Sequence, residues 1–184
     1  MISVMGAQTL LTVEQFSQLP EEEVCRYELI EGELVEVSSG TLRHNKVRDR
    51  IFSHLNEHLK SVGIGLAVIE VDLSLDAVSV RRPDLAFFSN AKLQGVDEDK
   101  IPVQVAPELA VEVISPSDTM LRMNQKIRWC LANGVQEVWV VFLEDREVHV
   151  HGAPKSVRKL TAEDVLETKL LPGFSVRVAE IFEP

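Results

Sequence analysis

Two carboxylates stand where strands otherwise read as buried. Asp84 follows Arg82-Pro83 and opens the apolar run Leu85-Ala86-Phe87-Phe88. Glu112 interrupts Leu109-Ala110-Val111 and Val113-Ile114, in a run that begins at Glu108 and ends at Ser115-Pro116. An unpaired carboxylate is costly in an apolar setting. Two of them close in space suit a hard divalent cation with oxygen ligands. Lys126, on the element that follows, adds a cation that can stabilise charge on a phosphate. The chemistry this trio points to is metal-dependent phosphodiester hydrolysis.

Bland alternatives stand beside each residue. Asp84 can be a strand-entry aspartate satisfied by backbone amides, Glu112 can pair with Lys126 or an arginine, and Lys126 can be a solvated helix residue. Strand alternation places Glu112 on one face with Ala110 and Ile114, so it is expected to be buried. His44 reads as a general base or as a satisfied histidine at a helix start. His149 and His151, two residues apart on one strand face, lack the further ligand pair that zinc needs. No Gly-rich phosphate loop, nucleophile elbow or catalytic cysteine pattern occurs.

The elements that must position these residues are legible from periodicity and punctuation. Thr12 with Gln15 three residues on caps a short helix through Leu19. Arg26–Ile30 and Glu33–Val37 read as strands joined at Glu31-Gly32. A helix over 42–60 carries the stripe Val47, Ile51, Leu55 and Leu59, with His44 and His58 on the same side. Strands are expected over 65–75 and 84–88, a polar surface loop over 93–105, and a central strand over 109–114. Ser115-Pro116-Ser117-Asp118 reads as a turn that caps a helix over 119–132, whose end is marked by Asn133-Gly134. Strands at 137–143 and 146–151 follow, then a β-poor tail with Leu171-Pro172-Gly173-Phe174. The strand–helix–strand passage from Glu112 to Val138 implies a mixed sheet with parallel central strands and flanking helices.

The 184 residues fit one domain, residues 1–184, with 45% hydrophobic and 26% charged content. No apolar run approaches the length of a membrane span. Met1 to Leu11 lacks a basic region followed by an apolar one, so no signal peptide is expected. Cys25 and Cys130 have no metal or redox spacing, which leaves a reduced, cytoplasmic protein as the simplest expectation. A net charge of −10 argues against nucleic acid as a partner, since phosphate-binding surfaces are normally basic. The positive charge is clustered, however: Arg43, Lys46, Arg48 and Arg50; Arg81 and Arg82; Arg122, Lys126 and Arg128.

Tyr27-Glu28-Leu29-Ile30-Glu31-Gly32-Glu33-Leu34, His44, Pro83-Asp84, Glu112-Val113-Ile114-Ser115-Pro116-Ser117, Lys126 and Gly134-Val135-Gln136-Glu137-Val138-Trp139 follow one order and spacing. Together they resemble the Uma-type family of restriction endonucleases, in the PD-(D/E)XK nuclease superfamily, from about Leu11 to Phe182. The resemblance implies a restriction-endonuclease-like α/β core, a mixed sheet with helices on both faces. It implies Mg²⁺ or Mn²⁺ held by Asp84, Glu112 and the backbone carbonyl of Val113, with Lys126 assisting and Glu28 and His44 nearby. It further implies nucleic acid, DNA first, as substrate, and makes a homodimer plausible. The superfamily lysine normally stands two residues after the glutamate, where this chain has Ile114. Lys126 is the substitute that the family places on the next helix. Cys130 stands where the family often has a tyrosine. A catalytically degenerate module of the same fold, binding nucleic acid or protein, is the rival reading. A structural oligomer through the 138–150 hairpin is a third.

Overall fold

The computed structural model describes residues 10–37, 40–115, 119–152 and 156–183. Thr12 caps α1 (Val13–Ser17) through a reciprocal box with Gln15, and α2 (Glu21–Val24) follows Pro20. β1 (Tyr27–Ile30) and β2 (Glu33–Glu36) pair antiparallel around Glu31 and Gly32, both at positive φ. This hairpin is tied to the rest of the chain by reciprocal backbone bonds between Leu29 and Val80.

α3 (Leu42–Val62) is the longest helix. The Thr41 hydroxyl accepts from the His44 amide at its start, and Gly63 at φ 67 closes it in the left-handed region. Val47, Ile51, Leu55 and Leu59 are buried, each contributing about 1.5–3 kcal/mol of apolar burial. His58 lies on the same side, its ring edge-on to Phe174 at 5.6 Å.

The main sheet runs β3-β4-β5-β6-β7-β8. Its strands are β3 (Gly65–Ile69), β4 (Leu85–Ser89), β5 (Leu109–Ile114), β6 (Glu137–Phe142), β7 (Glu147–Gly152) and β8 (Ser156–Leu160). Gly65 is required by packing: a Cβ there would lie 2.1 Å from the Phe88 carbonyl oxygen. β5 and β6 are parallel, joined by α5 (Met120–Ala132), and every other neighbouring pair is antiparallel. One face of the sheet packs on α3 and on α6 (Val178–Phe182), burying Val111, Val113, Trp139, Val148 and Val150 with the α3 stripe. The opposite face packs Ala110, Val138 and Val140 on Met123, Ile127 and Cys130 of α5. The architecture is the mixed sheet with helices on both faces that the sequence implies.

Some local expectations change. The strand expected over 65–75 stops at Ile69, because Glu70 takes φ 52 and turns the chain. Leu73 keeps only single bridges, to Arg81 and Val103. The surface loop expected over 93–105 is present after α4 (Asn90–Leu93), and a backbone bond between Ser74 and Val103 ties it to the body. The tail expected to be β-poor holds β8, β9 (Val165–Glu167) and β10 (Ser175–Arg177). These strands are short or exposed, so apolar alternation does not mark them. Of the expected capping turn only Ser115 falls among the described residues; 116–118 lie outside them. Thr119, expected as the first residue of the helix, is the N-cap of α5, accepting from the Arg122 amide. The 138–150 hairpin is interior, since β8 covers the edge of β7. No described helix is long and apolar enough to cross a membrane.

Candidate active site

Asp84, at the entry to β4, and Glu112, on β5, meet because these two strands are adjacent and antiparallel. Asp84 Oδ2 accepts from the Val113 backbone N–H at 2.6 Å and lies 3.2 Å from His44 Nε2. The strand-entry reading of Asp84 is thus half realised: one oxygen is bound by an amide and by a histidine. Val113 enters through its N–H, while its side chain is buried on the α3 face. Glu112 points to the α5 face, as alternation requires, and is 5% exposed.

Lys126 reaches across from α5. Its Nζ lies 2.9 Å and 3.0 Å from the two oxygens of Glu112 and 3.0 Å from Glu28 Oε1, and donates to the Arg82 carbonyl at 2.7 Å. Only Oε2 of Glu112 takes an aligned hydrogen bond; Oε1 is in ionic contact without one. An ammonium has three donors; two make hydrogen bonds here, to Glu112 Oε2 and the Arg82 carbonyl, and Glu28 is an ion-pair contact. Glu28, on β1, also accepts from the Arg82 backbone N–H at 2.8 Å. The Arg82 guanidinium grips Asp72 at 2.8 and 3.0 Å and the carbonyls of Val24 and Cys25, which seats the 27–36 hairpin against the strands. Arg82 is therefore the hub on which the lysine and Glu28 both rest.

The five groups, Glu28, His44, Asp84, Glu112 and Lys126, line one open cleft of about 500 Å³, together with Arg48 and Arg122. Burial pushes the Glu112 carboxyl up to about 8; Lys126 opposes the shift, and the charges of Asp84 and Glu28 add to it. Burial also works against the Lys126 ammonium, but Glu112 and Glu28 outweigh it and hold the lysine above its ordinary range. For His44, burial favours the neutral ring, yet the hydrogen bond and charge of Asp84 raise it above its usual value. Burial, with the charge of Glu112 behind it, pushes the Cys130 thiol up to about 12, so it stays protonated and is no nucleophile.

Three carboxylates thus face one ammonium and one imidazole. The clustering of Glu28, Asp84 and Glu112, with Glu112 Oε1 lacking a hydrogen-bond donor, fits a small oxygen-seeking cation. Among the described residues, no group of three or more His, Cys, Asp or Glu side chains is placed to hold a metal. A cation here would depend on two carboxylates, a backbone carbonyl and waters, a donor set that suits Mg²⁺ better than zinc. His149 stands apart, its ring tilted against Phe142 at 4.4 Å and paired with Glu147.

Sequence reasoning missed several supports. Gly40 faces His44: a Cβ there would lie 2.5 Å from its Nδ1. Asp72 and Arg82 are ten residues apart and meet only in the fold. Arg48 pairs with Glu70 and with Asp49, so its charge is largely answered. Arg81 is buried and stacks over Trp129 at 5.7 Å, and the Trp129 indole donates to Asp76. Glu108 is also structural, accepting from the Ser89 amide and hydroxyl at 2.9 and 2.7 Å.

Among solved structures, a putative nuclease belonging to DUF820 from Anabaena variabilis aligns with a TM-score of 0.81 at 19% identity, covering 94% of this chain and 97% of that one. It shares the fold. A DrdV–DNA complex aligns at a TM-score of 0.39 with 14% identity, over 65% of this chain and 85% of that one, too weakly to carry an argument. No curated protein matches the sequence. The Uma2 family model, described as putative restriction endonuclease, matches residues 13–179. Nine-tenths of the chain lies within that match, and the protein belongs to the Uma2 family.

Proposed function

We propose that this protein is a Mg²⁺- or Mn²⁺-dependent endonuclease that hydrolyses nucleic-acid phosphodiesters, DNA first among them, in the cleft around Asp84 and Glu112. The observation that carries the proposal is the buried Glu112 carboxyl beside Asp84 in one cleft, with its Oε1 lacking a hydrogen-bond donor. Asp84, Glu112 and the Val113 carbonyl would hold the ion. When bound, it supplies polarisation of the scissile phosphate and a lowered pKa for the attacking water.

The remaining roles follow from this chain's own groups. Lys126, held charged, cannot take a proton from water. It acts as a fixed cation that stabilises charge developing on the phosphate. Two of its donors are held by Glu112 and the Arg82 carbonyl, which leaves the third, beside Glu28, for a phosphate oxygen. Glu28 positions the ammonium, and His44, bonded to Asp84, orients that carboxylate. The His44 ring nitrogen nearest the site is already engaged with Asp84, which favours this orienting role over that of a free general base. The rival reading, a non-catalytic module, draws on one observation: Lys126 is already held by Glu112, Glu28 and the Arg82 carbonyl.

The test is calorimetric titration of Mn²⁺ into wild type, Glu112→Gln and Asp84→Ala, with cleavage of a duplex measured in parallel. Binding and cleavage by wild type, both lost in the variants, is the expected result. Cleavage that survives both substitutions would remove this site from the chemistry, and wild type that neither binds nor cleaves would favour the module.

A further inference from the structure

A second cleft, of about 510 Å³, opens on the other flank of the first turns of α3. It is lined by Arg43, Lys46 and Arg50 of α3, by Arg146 from the turn before β7, and by Leu42, Val47 and Phe182. Arg43 is anchored by Glu144 at 2.8 Å and by the Leu143 carbonyl. Arg146 lies 5.8 Å over the Phe182 ring and 3.6 Å from Glu183. Lys46 and Arg50 make no ion pair among the described residues, although the chain carries ten more acidic than basic side chains.

This arrangement opposes the stability of α3 in two ways. Arg43, Lys46 and Arg50 are spaced i, i+3 and i+7, so like charges share one helix face. Arg43 also stands in the first turn, at the positive end of the helix dipole, and no acidic residue occupies that turn. Both penalties vanish when an anion runs along that face. Arg43 to Arg50 spans about 10 Å of helix, about three base-pair steps of duplex. The same turns present His44, Asn45 and Arg48 to the cleft of Asp84 and Glu112. One polyanion can therefore touch both flanks of α3.

We infer that the cleft of Arg43, Lys46, Arg50 and Arg146 is a phosphate-backbone track that seats nucleic acid flanking the scissile bond. The inference rests on the nuclease reading of the first cleft. It assigns backbone anchoring, not base recognition, to these side chains.

The test is fluorescence anisotropy of a short duplex over a salt series in Ca²⁺ buffer, with wild type and the double variant Lys46→Gln, Arg50→Gln. Both residues lack ion pairs and keep most of their stems as glutamine, so the melting temperature should hold. The control is Lys60→Gln, Lys169→Gln, with the same change in net charge on exposed positions elsewhere. The track requires weaker binding by the first pair, with a log–log salt slope shallower by about 2, one per lost phosphate contact. The control should match wild type. Equal slopes for both pairs, or equal losses from general charge, would overturn the track while cleavage and its dependence on Asp84 still stand. Wild type that binds no duplex but binds polyglutamate through Lys46 and Arg50 would overturn it in favour of an acidic protein partner.

Discussion

Replacing Lys126 by methionine tests whether the site is held as a buried charge cluster. The substitution removes the ammonium that contacts Glu112 and Glu28 at 2.9–3.0 Å, and leaves the Arg82 carbonyl without its donor. The side chains involved are 13%, 6% and 8% exposed, so water screens the contacts little. Breaking a buried pair by removing one partner costs about 3–5 kcal/mol, because the other charge stays buried. For a chain of this size that corresponds to a melting temperature lower by roughly 6–20 °C. The loss should be greatest near pH 8 and smaller near pH 5, where protonation relieves the abandoned carboxylates. Urea unfolding of Lys126→Met, Glu112→Gln and the double variant at both pH values measures it. The two substitutions should be non-additive by about 1–3 kcal/mol, as contacting residues are. A loss below about 1 kcal/mol at pH 8, with an additive double variant, would refute the cluster.

Glu112 also sets a pH dependence. Its carboxyl is raised from 4.5 to about 8 in the folded protein, so the native state binds more protons than the unfolded chain between those values. Stability therefore falls as pH rises through that window, by up to about 5 kcal/mol at 1.36 kcal/mol per unit. The raised pKa of His44 acts in the same direction, its contribution present below 6.5 and lost as pH rises. Chemical denaturation at pH 5 and 8.5 should show a flatter profile for Glu112→Gln than for wild type; identical profiles would contradict the shift. Gly40→Ala should displace the His44 ring from Asp84, at a cost of about 1–3 kcal/mol from overpacking. Its NMR signature is a His44 titration moved down towards 6.5, and an unmoved titration would show that the loop simply yields. Arg82→Met should cost about 3–5 kcal/mol by abandoning Asp72, and should loosen the 27–36 hairpin to proteolysis ahead of the main sheet. Equal protection in variant and wild type would show that other contacts hold the hairpin.

The sequence by itself determined the local elements. The α3 stripe repeats at helical spacing between Thr41 and Gly63, and the 109–114 run has the apolar density of a strand covered on both faces. Glu112 could be assigned to the face of Ala110 because alternation is a property of the backbone. Tertiary structure alone decided which charges meet. Lys126 stands 14 residues from Glu112, and Glu28 stands 54 residues from the Arg82 amide it binds; no periodicity spans such separations. The late strands were hidden for a related reason: β8 is exposed along most of its length and is a strand because β7 offers it a partner. Periodicity reports the burial of side chains one element at a time. Ion pairs and edge strands depend on what another part of the chain brings within reach, and only the fold supplies that.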